Sequence, residues 1–61
     1  MTNQYTMYIY KVDKRKKSGE RLVSTSVWYN RDDAEMKREV RELQYELWPV
    51  GKGFRIEFHP V

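Results

Sequence analysis

The sequence predicts a small α+β domain: a three-stranded antiparallel sheet with one helix packed on one face, in the chain order ββαβ. Three observations predict it. Met36, Val40, Leu43 and Leu47 recur at i, i+4, i+7 and i+11 with mostly charged or polar residues between them, which marks one face of a 3.6-residue repeat. Phe54, Ile56 and Phe58 alternate with Arg55, Glu57 and His59, the period of a half-buried strand. Two stretches rich in β-branched and aromatic residues bracket a short polar segment, Lys14-Arg15-Lys16-Lys17-Ser18-Gly19-Glu20, as in a hairpin.

The first strand is expected over about 5–13, where tyrosines, Ile9 and Val12 favour extended backbone. The second is expected over about 21–29, carried by Leu22, Val23, Thr25, Val27, Trp28 and Tyr29. Between them Gly19 can take a positive φ. The helix is expected over about 31–48, with Asn30 as N-cap and Asp32, Asp33 and Glu35 placing negative charge near its positive end. Asp33 and Lys37 stand in the favourable i,i+4 order. Pro49 stops the helix, because the residue before a proline is pushed out of the α region. Gly51-Lys52-Gly53 then turns the chain into a third strand over about 54–59, ended by Pro60.

A single apolar stripe on the helix means that it covers one face of the sheet. At about 1.5 Å per residue it runs back along the sheet and returns the chain parallel to the second strand. Placing the third strand beside the first keeps every pair antiparallel and gives the order 2-1-3.

The chain has 61 residues, 34% of them charged and 39% apolar, with 15% aromatic and no cysteine. It is read as one domain. A domain this size buries only about 60% of its unfolded surface, with no disulfide to staple it. Without cysteine a Cys-rich structural zinc site is excluded, and His59 as its one histidine leaves little for any other. No cofactor is implied. No apolar run approaches the roughly 20 residues that span a bilayer. The first residues lack the basic and apolar regions of a signal peptide. The expected setting is the cytoplasm, away from membranes.

Charge is concentrated. Lys11, Lys14, Arg15, Lys16, Lys17 and Arg21 stand against Asp13 and Glu20, a local sum of +4 in a chain whose total is +3. The remainder therefore sums to −1. A field gathered on a hairpin tip fits an acidic or polyanionic partner. The simpler alternative is a solvated loop whose lysines guard a strand edge.

Pairing Val12 with Leu22, Tyr10 with Ser24, Tyr8 with Ser26 and Met7 with Val27 turns Met7, Ile9, Val23 and Val27 toward the helix with Phe54, Ile56 and Phe58. The uncovered face then carries Tyr8, Tyr10, Val12, Leu22, Trp28, Arg55, Glu57 and His59. This register is preferred because exposing tyrosines costs less than exposing Met7 and Ile9. A one-residue slip would invert it. Tyr8, Tyr10 and Trp28 would form an aromatic patch suited to an interface, with Arg55 beside them.

No catalytic constellation emerges. His59 has no nearby serine or cysteine in sequence, Gly51-Lys52-Gly53 lacks the length and hydroxyl of a phosphate loop, and Asp32, Asp33 and Glu35 are ordinary first-turn acids. The expectation is a binding protein that is not an enzyme.

Asp33-Ala34-Glu35 opening a helix, then Glu46-Leu47-Trp48-Pro49-Val50-Gly51-Lys52-Gly53-Phe54 and a short strand ending His59-Pro60-Val61, resembles the short early proteins of podovirus-type phages that inhibit bacterial RNA polymerase. Those proteins are similar in length and share the hairpin, single helix, proline-containing turn and final strand. The resemblance is one of layout, over about half the chain. It implies a phage-type regulator or inhibitor that docks on a host protein complex. In that family the last strand carries arginines that engage the polymerase; the matching strand here offers Arg55 with Glu57, Phe58 and His59.

The reading that follows is a protein-binding regulator, with Lys14, Arg15, Lys16, Lys17 and Arg21 steering association, Tyr8, Tyr10 and Trp28 anchoring it, and Arg55 at the patch. A nucleic-acid-binding module using the hairpin and sheet face is the first alternative. A homo-dimer or larger homo-oligomer that buries the open face is the second.

Overall fold

The computed structural model describes residues 3–61. The hydrophobic pattern produces β1 (Gln4–Val12), β2 (Glu20–Tyr29), α1 (Asp33–Glu46), a 3₁₀ turn (Val50–Lys52) and β3 (Phe54–Pro60). The sheet order is β2-β1-β3, antiparallel throughout, with α1 against one face. This is the expected ββαβ layout. No helix among the described residues is long and apolar enough to cross a membrane.

The core consists of Tyr5, Met7 and Ile9 from β1, Ile56 from β3, and Met36 and Val40 from α1. Val23, Trp28, Leu43, Trp48, Phe54 and Phe58 pack around it. Period two on β1 and period 3.6 on α1 put these residues on facing surfaces. The helix backbone lies closest to β3, so β2 is the less covered edge.

The register departs from expectation. Along β1, Tyr5 pairs with Trp28, Met7 with Ser26 and Ile9 with Ser24; the pairing then shifts between Ile9 and Tyr10, so that Tyr10 meets Leu22 and Val12 meets Glu20. The extra residue in β2 is a bulge, which breaks side-chain alternation. On the hairpin side of it Leu22 faces away from the helix and Val23 toward it, as expected. Beyond it the assignment inverts. Trp28, expected on the open face, lies on the helix side against the core, with the Arg31 guanidinium 5.5 Å from its ring. Val27, expected to face the helix, is exposed on the open face opposite Thr6.

The helix is shorter than the expected 31–48. Its N-cap is Asp32, not Asn30: Asp32 is extended and its Oδ1 accepts from the Glu35 N–H at 2.8 Å. Asn30 instead takes φ 58, a left-handed conformation that asparagine tolerates in turns. The Asp33–Lys37 pair forms at 3.2 Å. At the other end the Leu47 and Trp48 N–H groups both donate to the Leu43 carbonyl, and the chain leaves the helix there. Leu47, expected on the buried stripe, is therefore 64% exposed. Trp48 packs edge-on against Phe54 at 5.2 Å. Gly53 closes the turn at φ 88, a conformation that glycine adopts without a steric penalty.

Asp32→Ala removes the side-chain N-cap of α1 and is expected to lower unfolding free energy by about 1 kcal/mol. Asp32→Asn, which preserves the acceptor, should lose less than half of that. Matched urea melts of the two variants test the assignment.

Candidate docking surface

The hairpin tip is held by the Asp13 carboxylate together with backbone turn bonds and the Ser18 hydroxyl, which donates to the Glu20 carbonyl at 3.0 Å. Asp13 accepts from the Arg15 backbone N–H at 3.0 Å and from its Nε at 3.3 Å, and Arg21 Nε stands 3.9 Å from its other oxygen. This is an Asx-type turn, in which the side chain holds the backbone two residues on. Chiefly the Arg15 backbone bond, then the Arg15 side chain, holds the Asp13 carboxyl below its ordinary value. The Asp13 and Gly19 backbones meet at 2.9 Å, and Gly19 at φ 78 lets the chain reverse. Lys14, Arg15, Lys16 and Lys17 are all exposed. Among the described residues Lys14, Lys16 and Lys17 take part in no ion pair, so the expected basic tip is present with three uncompensated charges.

The sheet face away from the helix carries Tyr8 and Tyr10 on β1, half-buried, with ring centroids 6.5 Å apart. His59 lies 5.7 Å from the Tyr8 ring. Leu22 and Val27 on β2 add exposed apolar area. Tyr8 and Tyr10 therefore sit together on the open face as expected, and Trp28 does not join them.

Arg55 is present on this face but is committed within the chain. Its Nε and Nη2 donate to the two oxygens of Glu20 at 2.7 and 2.9 Å, Nη1 donates to Glu57, and the guanidinium lies 4.6 Å from the Tyr10 ring centroid. Tyr10 pairs with Arg55 across β1–β3, and Glu20 stands at the start of β2. Arg55 thus reaches over the central strand and straps the sheet together. A bidentate pair of this kind favours both ionised forms. The Glu20 carboxyl is lowered from its ordinary 4.5, first by the hydrogen bonds from Arg55, and the Arg55 pKa is raised by Glu20 and then Glu57. Sequence reasoning missed this strap. Glu20 and Arg55 are thirty-five positions apart, and only the fold brings them together.

A depressed carboxyl pKa has a defined consequence. The folded state holds fewer protons than the unfolded chain, so the stabilisation is complete above the unfolded value and is lost as pH falls through the folded one. Thermal melts between neutrality and pH about 3 should show wild-type stability falling below about pH 4.5. Glu20→Gln should flatten that fall, and an unchanged profile would remove the strap as a stabilising element.

Comparison with protein-family models, curated proteins and solved structures returned no match.

Proposed function

We propose that this protein is a non-enzymatic regulator or inhibitor that docks on a larger protein complex. The observation that carries the reading is the basic tip: Lys14, Lys16 and Lys17, which form no ion pair among the described residues, at the end of a sheet face that holds Tyr8 and Tyr10. Uncompensated lysines on a held loop steer an acidic partner and raise the association rate. Half-buried tyrosines give contact area with few rotors to immobilise. Arg55 supports the platform by fixing Tyr10 and the strand edges. Its charge is balanced by Glu20 and Glu57, which leaves recognition to the tip. The resemblance in sequence layout to short phage inhibitors makes a bacterial host complex the target to test, with RNA polymerase among the candidates.

The test is capture from a bacterial lysate by wild type and by a variant with Lys14, Arg15, Lys16 and Lys17 all changed to glutamate. The variant is expected to lose the partner; retention of every partner would end the hairpin's role. Titration with duplex and single-stranded DNA and RNA runs beside it. Four phosphate contacts would weaken binding about a hundredfold from about 50 to about 200 mM salt. Tight binding with that slope would replace the protein-docking reading with the nucleic-acid one. A solution molar mass of twice the chain would favour the homo-dimer.

A further inference from the structure

The helix leaves one long strand edge without cover. β2 is an outer strand of ten residues. From Arg21 to Tyr29, among the described residues, its side away from β1 makes no backbone hydrogen bond within the chain. Between Leu22 and Tyr29 it has neither a proline nor a charge to blunt it, and it exposes Leu22, Val27 and Tyr29 at 49, 47 and 59%. The other edge, β3, ends in Pro60 and carries Arg55, Glu57 and His59. Apart from its bulge at Val23 this edge carries no guard, and such an edge is a template for another strand.

Two features decide which strand. The bulge disfavours a second copy. A regular antiparallel pair of identical strands has its two-fold axis through one residue and its opposite number. To pair β2 along its length, that residue must be Ser24 or Thr25. Leu22 and Val27 share the open face with Tyr10 and Thr6, whereas Ser24, Ser26 and Trp28 share the helix face with Ile9, Met7 and Tyr5. An axis at Ser24 sets Leu22 opposite Ser26 of the second copy, and one at Thr25 sets it opposite Trp28 of the second copy. Both place an open-face side chain against a helix-face one, so a second copy can pair along β2 only if both strands leave Val23 unpaired, whereas a regular strand needs one such adjustment, as β1 makes.

Charge supplies the second feature. β2 leaves directly from the basic tip, so a strand laid along it passes Arg21 and the unpaired lysines at one end only. Resting on the docking function proposed above, we infer that β2 is a strand-addition site for an extended, acid-bearing segment of another protein. The segment lies antiparallel to β2, the commoner pairing. Its apolar and β-branched residues stand beside Leu22, Val27 and Tyr29, and its carboxylates, at its C-terminal end, stand beside Arg21 and Lys14–Lys17.

Amide exchange by NMR on the intact chain tests this. In the free protein the β2 amides turned toward β1 are expected to exchange slowly and those turned outward fast. The probe is a synthetic peptide of alternating valine and threonine that ends in a run of glutamates. It is expected to slow the outward amides at least about tenfold, and to bind about tenfold more tightly at low salt than the same peptide with its glutamates at the N-terminus. N-methylation at the probe residues whose N–H groups face β2 should abolish both effects. No binding, binding without protection of the outward amides, or equal affinity for the two peptides would overturn the inference. So would protection that grows with protein concentration in the absence of peptide, because a second copy would then hold the edge. If glutamates at the tip abolish partner capture while the β2 amides stay unprotected in the captured complex, docking stands and the edge falls. If the glutamate variant keeps its partners, both fall.

Discussion

Met36→Ala is expected to cost about 2–5 kcal/mol of unfolding free energy, the usual range for truncating a fully buried methionine. Met36 is 0% exposed and Met7 1%, and the two lie in one cluster with Tyr5, Ile9, Val40 and Ile56. Removing the thioether leaves a hole between the helix and the sheet that close-packed neighbours fill only in part. At about 0.05–0.15 kcal/mol per residue, a chain of this length has roughly 3–9 kcal/mol in total, and without cysteine no disulfide stands behind it. The substitution therefore removes a large share of the stability. In a domain of this size each kcal/mol shifts the melting temperature by about 4–8 °C. Met36→Leu, nearly equal in volume, should cost less than about 1.5 kcal/mol. Urea melts followed by circular dichroism check both. An alanine variant whose midpoint matches wild type would show that the helix does not close the core in this way.

That prediction uses what was most legible in the sequence. Met36 and Val40 fall on one helical stripe, and Phe54, Ile56 and Phe58 on one strand face, because these periodicities are local and need no partner to be read. The hairpin was legible for the same reason: polar residues and a glycine separate two β-rich runs. Cross-strand register was not. The bulge in β2 leaves Val23 without a partner on β1, and no local periodicity marks it. It inverts Val27 and Trp28 while leaving Leu22 and Val23 as expected. Leu47 fits the helical period, yet the helix ends one residue before it, and periodicity carries no information on where Leu43 stops accepting bonds in register. At the docking surface the cations were legible as residues but their pairing was not. Arg55 reads as a free charge until the fold places Glu20 and Glu57 against it. Asp13, two residues before Arg15, did carry a sequence signal, the Asx turn, and it accounts for an ordered tip where composition alone suggests a loose one.

Changing the tip and changing the open face should separate in kinetics. With Lys14, Arg15, Lys16 and Lys17 replaced by glutamate, each position changes by −2, so the local sum moves from +4 to −4 and the chain from +3 to −5. These side chains are exposed, so the fold should persist, with circular dichroism as the check. Association with a captured acidic partner should slow at least about tenfold at low ionic strength and recover toward wild type as salt screens the field, while dissociation changes little. Tyr8→Ala should behave in the opposite way. It removes a ring that stacks near Tyr10 and His59 and leaves the Arg55 strap in place. A central aromatic anchor is worth about 2 kcal/mol or more, some thirtyfold in affinity, and the loss should fall on the dissociation rate at every salt concentration. Surface-immobilised kinetics over a salt series distinguishes the two. If the glutamate variant lost affinity through dissociation alone, the tip would be a contact and not a steering element. If Tyr8→Ala left dissociation unchanged, the open face would lie outside the interface.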